Sequence, residues 1–146
     1  MTVLRLIITS VLLVSMDLYS YEPSEINEII GKKRSIYRDA GIFHNGIKES
    51  GNVLKGLRHS GKKINSYERI VFDFESIGAP QIYAHIDKSI NKLQVDFLRT
   101  KLNKKIKPAF SSHRVKEINF FPLAGNVLST EIVLKENTYV EMFILE

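Results

Sequence analysis

Six polar side chains on short apolar segments are the strongest candidates for chemistry in this chain. They comprise two arginines, two tyrosines and two aspartates: Arg58, Arg69, Tyr67, Tyr83, Asp73 and Asp96. A planar guanidinium can bind a carboxylate through two parallel hydrogen bonds, and a tyrosine ring can stack against a sugar. These residues therefore predict a binding site for a ligand with carboxylates and sugar rings. The alternative is that Arg69 pairs with Asp73 or Asp96 across strands, a surface contact worth about 0–1 kcal/mol.

No pattern typical of catalysis or metal binding accompanies these residues in the sequence. The chain has no cysteine, and its four histidines are too scattered for a recognised metal-ligand spacing. A nucleophile elbow, a phosphate-binding glycine loop and a dinucleotide fingerprint are all missing from the sequence. We therefore predict a protein that is not an enzyme and that has no catalytic residues, no metal site and no cofactor. A small hydrolase with an unrecognised site is the less favoured alternative.

A second candidate feature is the basic run at residues 99–107, which has five positive charges and no negative one. Such a run could bind one of three anionic ligands: the phosphates of a teichoic-type polymer, lipid head groups or nucleic acid. No aromatic residue is interleaved, which argues against a platform for single-stranded nucleic acid. The alternative, and the more common role of a charge run, is a solvated loop.

The N-terminus has the order of a secretory signal peptide. Arg5 precedes an apolar run of 11 residues, which is shorter than the roughly 20 residues of a membrane span. We predict a signal peptide at residues 1–20 and a periplasmic or secreted location, with no stable membrane span after cleavage. A buried N-terminal segment and a retained signal anchor are the alternatives. The formal charge of +5 favours anionic partners. Because an exported protein rarely meets nucleic acid, envelope polymers are the favoured class.

The remaining chain divides into a leader and a β domain. Residues 21–52 predict a short helix, with Ser24 as a possible cap, followed by an irregular connection. From residue 53 the apolar pattern has period two, which indicates strands. The predicted strands are 53–59, 67–75, 81–86, 92–98, 114–121, 128–135 and 139–145. The fold class is therefore all-β, a small antiparallel β-sandwich of about seven strands.

The alternation also assigns faces to the predicted strands. Ile70, Phe72 and Phe74 would line one face of the second strand, and Leu93, Val95 and Phe97 one face of the fourth, so the two sets are expected to share a core. Asp73 and Asp96 then fall on the opposite faces. A further hairpin is predicted at Glu136-Asn137, with Val140, Met142 and Ile144 facing inward on its last strand.

From residue 53 onward the chain resembles the AMIN domain, a periplasmic β-sandwich module found beside peptidoglycan amidases and in secretins. The segments that carry the resemblance are Gly56-Leu57-Arg58-His59, Tyr67 to Phe74, Lys92 to Phe97, Val115 to Phe120 and Thr130 to Leu134. The resemblance implies that residues 53–146 form a domain that targets peptidoglycan. Asn119 and Thr130-Glu131 stand where the family more usually has arginines, so a binding face in the second half is less expected.

These observations together predict an exported, non-catalytic module that binds a cell-envelope component through an exposed sheet face. The most favoured ligand is peptidoglycan or another anionic envelope polymer. The alternative is a periplasmic protein–protein interaction module that pairs by an added strand or a sheet face.

Overall fold

We analysed a computed structural model that describes residues 24–33, 36–45, 51–61, 67–75, 78–107 and 112–145. The predicted signal peptide, residues 1–20, lies outside these residues. Within them the protein is all-β, as the alternation predicts, and no helix is present. The strands are β1 (Ile26–Glu28), β2 (Gly41–His44), β3 (Asn52–Ser60), β4 (Arg69–Glu75), β5 (Ile82–Asp87), β6 (Lys92–Phe97), β7 (Thr100–Leu102), β8 (Val115–Leu123) and β9 (Val127–Leu134).

The strands form two sheets that pack as a sandwich. One sheet has six strands in the order β1-β2-β5-β6-β9-β8, and the other has three in the order β4-β3-β7. All neighbours are antiparallel except β1 with β2 and β3 with β7, which are parallel. Six of the seven predicted strands are present, with ends within two residues of the prediction.

The core lies between the two sheets and is centred on β6. Leu93, Val95 and Phe97 are buried, and the inner face of β4 packs against them, so the predicted shared core is confirmed. The Phe97 ring centroid lies 5.2 Å from that of Phe72 and 5.1 Å from that of Phe74, both in tilted geometry. Tilted ring pairs at such distances are favourable beyond the area they bury. These contacts join the six-stranded sheet to the three-stranded one.

The predicted leader helix is wrong, because residues 26–28 form strand β1. Backbone pairing with β2 decides this conformation: the Ile42 N–H donates to the Glu25 carbonyl at 2.8 Å, and the Ile29 N–H donates to the His44 carbonyl at 2.6 Å. Gly41 begins β2 with φ of 123°, and a Cβ there would lie 2.8 Å from the Glu25 carbonyl oxygen. Only glycine fits this close approach without strain. The segment predicted as an irregular connection thus contributes a strand to the sheet.

The predicted C-terminal strand and its hairpin are also wrong. In residues 139–145 only Val140 makes a β-bridge, with Arg38, although Val140, Met142 and Ile144 do pack against the core as predicted. The reason is topological, because β9 already has β6 and β8 as neighbours and offers no edge to a further strand.

The basic run is not wholly a loop. Residues 100–102 form β7, which pairs in parallel with the start of β3. Thr100 is buried in this strand and its backbone N–H donates to the Asn126 carbonyl at 2.7 Å. A three-residue strand held by distant partners leaves too little period-two pattern to be recognised in the sequence.

Candidate functional site

Both candidate arginines lie on the outer face of the β3–β4 pair. Arg58 stands opposite Val71, and Arg69 lies two residues before Val71 on the same strand. Because side chains two residues apart share a face, Arg58, Arg69 and Asp73 point to the same side of the sheet. Tyr67 lies two residues before Arg69, at the entry to β4. We call these four residues the arginine face.

Arg58 is held by Asp73 in a two-point contact. Its Nε donates to Asp73 Oδ2 and its Nη2 donates to Oδ1, both at 2.7 Å. The hydrogen bonds from Arg58 lower the pKa of the Asp73 carboxyl, and the same bonds raise the pKa of the arginine. Gly56 stands opposite Asp73 and leaves room for the carboxylate, since a Cβ at 56 would lie 3.1 Å from Oδ2. Asp73 therefore pairs with Arg58 rather than with Arg69.

Arg69 instead contacts an aromatic ring from the C-terminal segment. Its guanidinium carbon lies 5.9 Å from the centroid of the Phe143 ring. A guanidinium in this position is attracted by the ring quadrupole. The contact orients Arg69 and adds Phe143 to the surroundings of the arginine face, a neighbour that the sequence does not indicate.

Tyr67 has a cationic neighbour of its own. The Lys33 ammonium lies 5.3 Å from the centroid of the Tyr67 ring and 5.5 Å from that of Tyr37. It also lies 3.8 Å from Oε2 of Glu141. A hydrogen bond with Tyr37 raises the pKa of Lys33, more than partial burial lowers it. Lys33 thereby links the N-terminal segment, the arginine face and the C-terminal segment.

Tyr83 and Asp96 belong to the other sheet. They stand directly opposite each other on β5 and β6, on the outer face of the six-stranded sheet. Asp96 Oδ1 accepts hydrogen bonds from Ser129 Oγ at 2.5 Å and from Gln94 Nε2 at 3.4 Å. Exposed Phe121 stands opposite Ser129 on β8. The outer faces of a sandwich point in opposite directions. Tyr83 and Asp96 therefore do not lie on the arginine face.

One carboxylate ties the end of the β3–β4 pair to the segment before β8. Glu68 accepts a hydrogen bond from Ser112 Oγ at 2.5 Å and one from the Arg114 backbone N–H at 3.2 Å, and His59 Nε2 lies 3.7 Å away. Its side chain is only 11% exposed. Burial raises the pKa of the carboxyl, but the hydrogen bonds and His59 together outweigh burial, so the pKa lies below its ordinary value. We call Glu68, Ser112, Arg114 and His59 the Glu68 clamp, which joins the β3–β4 pair to the segment before β8.

Other kinds of site find little support in the part of the chain that the structure describes. No group of three histidine, aspartate or glutamate side chains there is arranged to hold a metal ion. Nor does any helix in the described ranges have the length and apolar character needed to span a membrane.

The fold and these faces define a small two-sheet β-sandwich protein with polar outer faces. No protein-family model matches the chain, and no curated protein and no solved structure matches it either.

Proposed function

We propose that this protein is an exported, non-catalytic binding module that recognises peptidoglycan through the arginine face. The observation that carries the proposal is that Arg58 and Arg69 share one exposed sheet face with Tyr67 at its edge. The resemblance to the AMIN domain, in the same strands, points to the same ligand.

The geometry of the arginine face suits a ligand that carries carboxylates. A guanidinium has five N–H donors, and the contact of Arg58 with Asp73 uses two of them. The Arg58 side chain remains 68% exposed. The contact of Arg69 with the Phe143 ring uses no N–H donor, so this guanidinium can bind a carboxylate while it lies against the ring. Two oriented arginines can thus bind carboxylates of a peptide stem in fixed positions.

Aromatic rings beside the arginines suit the sugar part of the same ligand. Tyr67 is exposed, and Lys33 contacts its ring. An aromatic ring with one apolar side and a polar hydroxyl can pack on a sugar and hydrogen-bond to it. Peptidoglycan has both chemical groups in each repeating unit, which a bare polyphosphate does not.

Co-sedimentation with purified, protein-free sacculi tests this proposal. We expect the full-length chain to sediment with the sacculi, and the double variant Arg58→Ala/Arg69→Ala to remain in solution. The matched control is Lys104→Ala/Lys105→Ala, which also removes two exposed positive charges but from the turn after β7. Equal loss of binding in both double variants, or no binding by the unmodified chain, would overturn the proposal. Release of soluble sugar or peptide from the sacculi would show an enzyme instead.

A second candidate is a protein–protein interaction module that uses the free edge of β8. This strand has β9 as its one neighbour in the described sheet, and Phe121 and Leu123 are exposed near its end. Pro122 lies between them and has no N–H, which removes one donor that an added strand would need. The edge therefore favours side-chain contact over strand addition. Binding of a periplasmic protein that Phe121→Ala abolishes, with no retention on sacculi, would support this candidate.

A further inference from the structure

A pocket of about 510 Å³ lies at the end of the three-stranded sheet and includes the first residues of the basic run, but none of the arginine face. Its lining consists of residues 51–53, Arg99, Lys101 and the turn residues 125–126. We call it the β3–β7 pocket. It forms where the start of β3, the start of β7 and the β8–β9 turn meet.

Backbone geometry fixes the shape of this pocket. The Asn52 N–H donates to the Arg99 carbonyl at 2.8 Å, and the Thr100 N–H donates to the Asn126 carbonyl at 2.7 Å. Arg99, Gly125 and Asn126 all have positive φ, of 52°, 76° and 58°. Residues in the left-handed backbone conformation turn the chain sharply at these positions. The two hydrogen bonds hold the start of β3, the start of β7 and the β8–β9 turn to one another. The pocket is thus formed before any ligand binds.

The charge of the lining is positive. Arg99 and Lys101 both line the pocket, and none of the residues that line it is acidic. Three further lysines follow within six residues of Lys101 in the sequence, but they do not line the pocket. A concave site with one sign of charge concentrates ligands of the opposite sign.

One of the residues that line the same pocket has an unpaired side-chain amide. Asn52 lines the pocket yet is only 1% exposed, and both polar atoms of its side chain lack a hydrogen-bond partner among the described residues. A buried polar group without a partner destabilises the folded state. Such a group in a folded protein calls for an explanation, and a ligand or ion at the site is one.

We propose that the β3–β7 pocket binds a phosphate group. A phosphate group carries its negative charge on oxygens that point in tetrahedral directions, which suits two cations and one amide donor on separate segments of the chain. A carboxylate holds its charge on two oxygens in one plane, so it fits donors from separate segments of the chain less well. The Arg99 guanidinium, the Lys101 ammonium and the Asn52 amide each donate to one phosphate oxygen. The phosphate is either a free ion or part of a phosphodiester polymer.

NMR titration of the isotope-labelled full-length chain tests this proposal. The probes are inorganic phosphate, soluble poly(glycerol phosphate), and acetate as the carboxylate, all at one ionic strength. We expect saturable shifts of the backbone amide signals of residues 51–53, Arg99, Lys101 and residues 125–126 with a phosphate probe, and no saturation with acetate. Tighter binding of the polymer than of the free ion would assign the phosphodiester, and the reverse would assign the free ion.

Two lysine variants make the test specific. Lys101→Gln should weaken phosphate binding at least tenfold, whereas Lys105→Gln should change it less than twofold. Lys105 lies in the same basic run and is exposed, but it does not line the pocket. Equal effects of the two variants would show diffuse attraction and overturn the proposal, as would shifts that never saturate. The result is independent of the arginine face, because Arg58→Ala/Arg69→Ala should leave phosphate binding unchanged.

Discussion

Removal of the Phe97 ring should weaken the packing between the two sheets and lower the free energy of unfolding. Phe97 is 2% exposed and contacts Phe72 and Phe74 across the interface at 5.2 and 5.1 Å between ring centroids. Truncation of a buried phenylalanine to alanine costs about 3–5 kcal/mol. Because two tilted ring contacts are lost as well, we expect Phe97→Ala to cost about 4–5 kcal/mol, near the upper end of that range. This is a large fraction of the roughly 5–15 kcal/mol that stabilises an ordinary domain.

Urea unfolding followed by far-ultraviolet circular dichroism measures this loss. With a dependence of about 2 kcal/mol per molar urea, the midpoint should fall by roughly 2 M. The matched control is Tyr83→Ala, an aromatic truncation on the outer face of the neighbouring strand β5, which should cost less than about 1 kcal/mol. If Phe97→Ala is too unstable to purify, Phe97→Leu should still cost more stability than Tyr83→Ala, although the loss should be smaller. Equal costs at positions 97 and 83 would refute the account of the core.

The remaining predictions concern the Glu68 clamp and the first two strands. Glu68→Gln should destabilise the protein at pH 7 by about 1.5–3 kcal/mol, since hydrogen bonds to a charged carboxylate are lost. Because the pKa of Glu68 is lowered in the folded state, this contribution is complete above the unfolded-state pKa of about 4.3 and disappears as the pH falls through the folded-state pKa. Denaturation of the unmodified protein and of the Glu68→Gln variant at pH 7 and pH 3 checks this. A difference in stability between the two that is the same at pH 3 as at pH 7 would contradict it. Gly41→Ala should cost about 1–3 kcal/mol of stability, because alanine is strained at this φ and its Cβ would approach the Glu25 carbonyl. The control is Gly51→Ala, whose Cβ would meet open space and which should not lower stability in this way. Equal melting temperatures of the two variants would contradict the strain at Gly41.

The sequence predicted the long strands well because their side chains alternate for six residues or more. The inner faces of β4 and β6 follow directly from this alternation, and the structure confirms that they pack together. Strands β1, β2 and β7 were missed because each has only three or four residues and depends on a partner elsewhere in the chain. Ile26, Ile29 and Ile30 are spaced so that they would share one face of the helix predicted after Ser24. Pairing with β2 overrides this spacing, since local preference is weak beside tertiary hydrogen bonds.

The candidate site was predictable only as a set of outward-facing residues. Alternation places Asp73 and Asp96 outward, but it does not say that β4 and β6 belong to different sheets. The partner of Asp73 depends on the register shift between Leu54 and Gly56, which sets Gly56 opposite Asp73 and brings Arg58 within reach. The contact of Arg69 with Phe143 depends on how the C-terminal segment packs. Such features depend on tertiary pairing, and no local pattern in the sequence encodes them.

Calorimetric titration with a purified soluble disaccharide-peptide fragment of peptidoglycan measures recognition by the arginine face itself. We expect saturable binding to the full-length chain, an affinity at least tenfold lower for Arg58→Ala/Arg69→Ala, and a change of less than twofold for Lys104→Ala/Lys105→Ala. Circular dichroism should show that both double variants keep the fold, so that the loss reports the contact itself. No heat of binding with the unmodified chain, or the same affinity in both double variants, would contradict the claim that the arginine face recognises peptidoglycan.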